Sequence, residues 1–494
     1  MDMKKYLNYI CLVALMTAAF GCGDFGGTNV SPNGSLVPVT STLLTNSLTV
    51  LGNSQLGGGE SSNYLYPSYY CQYMSQALYT DASRYAIVDP GWGLYASNTT
   101  RSGLEDLQNI INVNSDPKTA AYAALSGSNN NQIAIARILK AYWMSYVTDR
   151  FGDVPYSEAL KGIPNPKYDP QSSIYPDLLN ELQAAVAQFD NGTPVVGDIV
   201  FGGDNSKWIK FANSWRIILG VRLSKADATT GKAAVLDALG NPGGVFETWA
   251  DDMVITYPGS GAGFQNPWLS MGSDQVICST LANFVNTNSD DRRLAFGNAV
   301  SGTLIGMPPG LTRADALAFT SANSNQSLVL NNAYRSDVSP LVVLSSADVL
   351  LARAEAAMLG WTSENVAALY TAGITQSWNR WGQTNATNLT NYLNNSQIKL
   401  GSGSGPSDAE KIGIQRWLSF FPNGDQGWAE WRRTGYPSFV TPVANSLSGT
   451  TPDQIPTRYI YPTSEHGLNP TNWAAASALL NNGDTRFSNV WWDK

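Results

Sequence analysis

The 494-residue sequence predicts a mostly α-helical fold, with helix pairs as a scaffold and long loop-rich insertions between them. Three observations predict it. Apolar residues recur at helical spacing over several long segments. Two such segments, joined by a short turn, carry small residues where they would cross. Residues 240–340 and 383–408 instead turn to Gly, Asn, Ser, Pro and isolated aromatics, the texture of long loops with short strands. Long structureless segments inside a compact domain are usually functional, so these two stretches are the expected ligand region.

The elements follow in chain order. Lys4 and Lys5 precede an apolar run from Ile10 to Phe20. That run falls short of the roughly 20 apolar residues that span a bilayer, and its flanks describe a secretory signal peptide. Ala19-Phe20-Gly21-Cys22 resembles a bacterial lipobox, in which the cysteine is lipidated and becomes the new N-terminus. The expected organisation is a signal peptide over 1–21, a lipid-anchored tether over 22–38 and one domain over 39–494. Its helical scaffold is placed at about 40–235 and 341–440. Each buried lipid CH₂ contributes about 0.8 kcal/mol, so more than one acyl chain on Cys22 gives a stable anchor.

Residues 131–153, NQIAIARILKAYWMSYVTDRFGD, are apolar on most faces, with Arg137, Lys140, Ser145 and Thr148 on one narrow side; this predicts a mostly buried helix. Gly152 and Pro155 end it. Residues 172–189 place Leu178, Leu182, Ala185 and Phe189 at helical spacing, and 208–226 and 231–240 read as two further helices. In 347–361, Leu350, Ala354, Ala357 and Trp361 form one stripe. In 364–382, Val366, Tyr370, Ile374 and Trp378 form another, and Thr362 or Ser363 is the expected N-cap. Ala354 and Gly373 let the two helices approach closely. Helix, short turn, helix with small residues at the crossing is a degenerate tetratricopeptide pattern.

Composition excludes several functions. The formal net charge is −8, and losing Lys4, Lys5 and Asp2 with a signal peptide makes the processed chain one unit more acidic. Nothing here attracts nucleic acid. Charged residues are 14% of the chain, below the usual ~25%. Fifteen Trp and 23 Tyr accompany this weakly charged composition. The single histidine, His466, excludes a His-based zinc site built within the chain. Of four cysteines, Cys11 lies in the signal and Cys22 is the proposed anchor; Cys71 and Cys278 either pair or stay free. No cofactor is expected, and a structural calcium ion held by loop carbonyls is left open.

Several segments, in order along the chain, resemble the SusD-like branch of the SusD/RagB family. They are DRFGDVPYSEAL (149–160), KFANSWRIILGVRLSKAD (210–227), DDRRL (290–294), ADVLLARAEAAMLGW (347–361), YTAGITQSWNRWG (370–382), QRWLSFFPNGDQGWAEWRRTGYP (415–437), YPTSEHGLNPTN (461–472) and the WWDK tail. The resemblance implies about four tetratricopeptide-like helix pairs and a surface-exposed, lipid-anchored outer-membrane protein of a Bacteroidetes-type cell. It implies a lid over a SusC-like, TonB-dependent β-barrel transporter. It implies capture of oligosaccharides, or of peptides in some relatives, without catalysis.

Sugar recognition needs aromatic faces beside planar polar groups. The candidate ligand residues are Trp92, Tyr95, Asn98, Asp81, Arg84, Tyr257 and Trp268. The resemblance carries an aromatic and an amide onto Trp92 and Asn98. Trp92, Tyr95 and Asn98 are spaced by three beside Asp89; core packing is the competing reading. Trp268 follows Asn266-Pro267, a turn that either holds the indole outward or buries it. Asp81 and Arg84 either bond to sugar hydroxyls or pair with each other. Trp249 also lies near the loop-rich region. Among Tyr64, Tyr66, Tyr69, Tyr70 and Tyr73, the set 66, 70 and 73 fits a helical stripe and reads as core.

Other groups read as structural. Asp153 and Glu158 are a conceivable acid/base pair, but Gly152 and Pro155 mark a helix end and turn. Trp428 and Trp431 share a helix face beside Arg432, Arg433 and Tyr436, which signals core packing. His466 reads as a solvated loop residue. GSGAG (259–263) lacks the Lys and Ser/Thr of a P-loop, GSGSG (401–405) has Gly where a nucleophile elbow needs Ser, and Asp251-Asp252 and Asp290-Asp291 lack EF-hand spacing. The leading expectation is an oligosaccharide-binding surface protein. A surface glycosidase and an adhesin are the alternatives from other classes.

Overall fold

Helices begin where side chains replace the amide partners that a helix end lacks. The computed structural model describes residues 37–55, 65–86, 89, 91–92, 103–450 and 453–493. Cys22, the expected lipidation site, and Tyr64, Tyr95 and Asn98 lie outside them. One unit spans Thr40–Lys494. It is mostly helical: α1 (Thr40–Val50), α2 (Gly103–Ser115), α3 (Asn129–Phe151), α4 (Gln171–Gln188), α5 (Asn205–Arg222), α6 (Ala228–Gly240), α7 (Ser346–Met358), α8 (Val366–Arg380), α9 (Asp408–Phe420), α10 (Gly424–Thr434) and α11 (Pro470–Leu479) carry the scaffold. Consecutive helices pair as α3/α4, α5/α6, α7/α8 and α9/α10, and α4 packs on α5, α5 on α7 and α7 on α9. This is the stacked helix-pair logic of a tetratricopeptide-like scaffold.

Strands are few and short. β1 (Met74–Gln76) pairs antiparallel with β5 (Gln275–Ile277), β2 (Val154–Pro155) with β3 (Tyr168–Asp169), and β4 (Met253–Ile255) with β6 (Leu341–Leu344). In β1–β5, Met74 faces Ile277 and Gln76 faces Gln275. The loop-rich stretches carry more helix than their texture suggested, including Ser279–Thr287, Arg313–Ala322 and Ala386–Asn394. Asn385 starts the last of these by accepting from the amides of Thr387 and Asn388.

The caps explain the boundaries. Ser128 accepts from the Asn131 amide at the start of α3, and Gly152, at φ +84°, ends that helix with its amide on the Thr148 carbonyl. Ser145 and Thr148 sit buried inside α3 because their hydroxyls bond to the carbonyls of Tyr142 and Gly152, at 2.5 and 2.7 Å. Ser345 and Asp348 form a reciprocal capping box on α7. The N-cap of α8 is Asn365, which accepts from the Ala368 amide at 2.9 Å. Thr362 and Ser363 instead belong to the connection, where the Thr362 hydroxyl accepts from the Glu364 amide.

Two close approaches require missing side chains. A Cβ on Gly231 of α6 would lie 2.4 Å from the Gly220 carbonyl of α5. A Cβ on Gly373 would lie 2.7 Å from Leu351 of α7. The predicted stripe residues Leu350, Ala354, Tyr370, Ile374 and Trp378 are buried in the cluster these helices share.

Buried charge ties the pairs together. Glu430 of α10 accepts from Arg416 of α9 at 3.0 Å and from Arg433 at 2.6 Å. Arg433 also forks onto Glu355 of α7, at 2.6 and 2.8 Å. Arg432 lies 3.6 Å above the Trp428 ring and 4.7 Å from that of Trp492, and donates to the carbonyls of Asp149 and Thr457. Trp428 is buried with its indole N–H on the Pro456 carbonyl. The tryptophan–arginine segment of α10 and Trp492 of the C-terminal tail are thus one core assembly.

Candidate functional site

The turn after β1 is shaped by a carboxylate almost two hundred residues away. Asp274 Oδ1 accepts from the amides of Leu78 and Tyr79, at 2.6 and 3.0 Å, and its Oδ2 accepts from Gln76 at 3.2 Å. Gln76 in turn accepts from the Ser83 amide. With its backbone held from below, Tyr79 points outward and is 65% exposed. The Arg313 guanidinium lies 5.9 Å from its ring centroid, within cation–π range. Tyr79 falls outside the Tyr66/Tyr70/Tyr73 stripe, which is buried. That break in the spacing was the only local signal for it, and the sequence reading missed it.

Asp81 and Arg84 sit on the same turn, closed by the Arg84 amide on the Thr80 carbonyl and the Ala86 amide on the Asp81 carbonyl. They do not form an ion pair with each other. The Asp81 side chain is exposed, and its carboxylate accepts from no described group. Arg84 spends Nε on the Asn445 carbonyl at 2.8 Å, which leaves its terminal nitrogens without a protein partner among the described residues. Arg486 fastens the turn from behind, donating to the carbonyls of Tyr85, Ala86 and Ser448.

The chain then runs to Trp92 along a second anchor. Asp89 accepts from the Thr463 amide and hydroxyl. The Trp92 indole N–H donates to Glu465 Oε1 at 2.8 Å, and the Tyr168 hydroxyl takes Oε2 at 2.7 Å. The Trp92 ring lies 5.0 Å from Phe151 and 6.2 Å from Tyr168. Trp92 is half-buried, so both the packing and the platform readings describe part of it. Exposed His466 rests on Trp473 at 4.0 Å.

Two sequence-predicted ligand residues are not at the surface. Trp268 is fully buried. Asn266 turns inward, where its side chain accepts from the Trp268 amide at 2.8 Å and donates to the Ser339 carbonyl at 2.7 Å. The Asn-Pro turn therefore drives the indole into the core. Tyr257 is buried against Phe264, with its hydroxyl on the Gly52 carbonyl at 2.9 Å. Neither offers a face to a ligand in this arrangement.

The other acidic residues singled out in the sequence are occupied structurally. Asp153 accepts from the Gln171 amide and Glu158 from the Lys167 amide. Asp290 forks onto Arg292, and Asp291 accepts from Asn388. Asp251 accepts from Lys210, and Asp252 from the Ser346 amide. Burial pushes the Asp252 carboxyl up to about 7, against the opposing Ser346 amide and Arg380. Among the described residues no three His, Cys, Asp or Glu side chains gather as a metal site. Cys71 and Cys278 are free and buried, and burial raises both thiols, Cys278 to about 11. No helix among the described residues is long and apolar enough to cross a membrane.

The site is thus an exposed ring on a turn that also carries the Asp81 carboxylate and the Arg84 guanidinium, the latter with only its Nε spent on a carbonyl, and a half-buried indole lies further along the sequence. A chitin-binding protein of solved structure is 27% identical, with a TM-score of 0.76 over 92% of this chain and 99% of its own. A SusD homologue from Bacteroides fragilis NCTC 9343 is 23% identical at a TM-score of 0.77, covering 92% of this chain and 100% of its own. A chitin-binding SusD homologue from Flavobacterium johnsoniae is 20% identical at a TM-score of 0.72, covering 92% and 98%. Among curated proteins none matches the chain. The SusD-like family model, described as starch-binding and associating with the outer membrane, matches residues 32–462. The chain belongs to the SusD-like family.

Proposed function

We propose that this protein binds oligosaccharides at the surface turn bearing Tyr79, Asp81 and Arg84, extended by Trp92, and delivers them to a SusC-like, TonB-dependent outer-membrane transporter. The observation that carries the reading is the exposed Tyr79 ring on the same turn as two polar side chains that spend no charge on each other. A sugar presents a CH-rich face and a rim of hydroxyls. The ring takes the first, and the carboxylate and guanidinium take the second. Family membership and the chitin-binding relatives support saccharide over peptide as the ligand. Tyr95 and Asn98 are proposed to join the same site. The protein acts as a binder rather than a catalyst, and lipid on Cys22 keeps it at the outer membrane.

Calorimetry of the full chain in detergent against chito-, malto-, cello- and xylohexaose tests the reading. Tyr79→Ala weakens the best ligand by about five- to tenfold, the worth of one aromatic contact of roughly 1–1.5 kcal/mol. Binding of short peptides with no response to any saccharide would overturn it. Cys22→Ala moves the protein out of the outer-membrane fraction and abolishes co-isolation of a β-barrel. Persistence of the variant in that fraction would remove the anchor.

A further inference from the structure

Trp249 stands apart from the tryptophans that build the core. Trp143, Trp208, Trp215, Trp268, Trp378, Trp417, Trp428 and Trp492 are fully buried, whereas Trp249 is 62% exposed. Its backbone is nonetheless held. The Trp249 amide donates to Gln376 Oε1 of α8 at 3.0 Å. Asp251 closes the same turn, accepting from the amides of Glu247 and Thr248 at 3.0 Å each and from Lys210 at 2.7 Å. A large ring left in water on a braced turn is not explained by folding.

Glu247, two residues before Trp249 on that turn, lines a cleft of about 360 Å³, within the range of small-ligand sites. Its apolar lining comes from Leu236 and Leu239 of α6 and Val245. Its rim is polar, from Glu247, Arg353 of α7 and Glu364. Arg353 bridges both acids, at 3.2 Å to Glu247 and 3.1 Å from its Nε to Glu364. Two carboxylates on one guanidinium leave the rim one unit negative, with Glu247 still largely exposed. Such a rim accepts hydrogen bonds from hydroxyls and repels uronate or sulfate groups.

We infer that the cleft lined by Glu247 and Arg353 forms, together with Trp249 on the adjoining turn, a second saccharide site, specific for neutral oligosaccharides. Trp249 supplies the stacking face, Leu236 and Val245 meet the sugar's CH groups, and Glu247 and Glu364 accept from its hydroxyls. The site shares no residue with the Tyr79 turn. The inference rests on the reading of the chain as a saccharide binder. A second weak site on one chain raises the avidity for long glycans without any new contact at the first.

The test is fluorine NMR of the full chain in detergent, labelled with 5-fluorotryptophan, with the Trp249 signal assigned through Trp249→Phe. Chito-, malto-, cello- and xylohexaose are titrated into the wild type and into Tyr79→Ala. The expected result is a saturable shift of the Trp249 signal by at least one neutral hexasaccharide, retained in Tyr79→Ala. Trp249→Ala then weakens retention on the matching polysaccharide in affinity gels at least threefold, and Trp249→Tyr restores most of it. If a saccharide binds in calorimetry while the Trp249 signal stays still, or its shift vanishes in Tyr79→Ala, the second site is overturned and the first stands. If no saccharide is bound at all, both readings fall. A response to cationic peptides alone would reassign the cleft and overturn the inference.

Discussion

Replacing Glu430 with Gln is expected to lower the unfolding free energy by about 3–5 kcal/mol, the cost of stranding one side of a buried ion pair. Glu430 is fully buried and faces two arginines from two helices, Arg416 of α9 and Arg433 of α10. Burial alone would favour its neutral form, but the guanidinium groups of Arg416 and Arg433 outweigh it and hold the carboxyl down at about 2. The folded value lies below the unfolded one of roughly 4.3. The stabilisation is therefore complete above that unfolded value and is lost as pH falls from there through about 2. Urea denaturation of both proteins at pH 7 and pH 3 checks the magnitude and the sign. A deficit that fails to shrink at pH 3 would assign the loss to packing rather than charge.

The second large effect is expected at Asp149. This α3 carboxylate accepts from Arg222 of α5, from the Tyr175 hydroxyl of α4 and from the indole N–H of Trp492, the last at 2.9 Å. Arg222 is itself buried and passes its other nitrogen to Gln426 of α10 at 2.5 Å. Asp149→Asn leaves Arg222 buried without its counter-charge and costs about 3–5 kcal/mol. Because one acceptor joins three helices to the C-terminal tail, the variant should also free Trp492. Near-ultraviolet circular dichroism and limited proteolysis at the C-terminus read that release directly. Loss of stability with the tail still protected would show that Arg432, between Trp428 and Trp492, holds the tail by itself. Both costs exceed the ~1 kcal/mol of an ordinary substitution, so neither site tolerates the surface-type exchanges expected at Tyr79 or Trp249.

The helical character and the pairing of α7 with α8 were legible in the chain because each depends on local periodicity; Tyr66, Tyr70 and Tyr73 are core as read, but Tyr73 lies beyond the helix Tyr66–Tyr70 and the off-stripe Tyr69 is buried as well. Ala354 and Gly373 announced a close crossing for the same reason: a small residue within an apolar stripe is visible without knowing the partner. The limit came where a distant group supplied the missing hydrogen bond. A local expectation failed too: Asn365, rather than the expected Thr362 or Ser363, caps α8 through the Ala368 amide. Trp268 points inward because Asn266 finds the Ser339 carbonyl, and Tyr79 points outward because Asp274 captures its amide. Period and composition reveal which residues are apolar or small. Which loop aromatic meets water is decided by backbone satisfaction across long sequence separations, and that information exists only once the tertiary structure has formed.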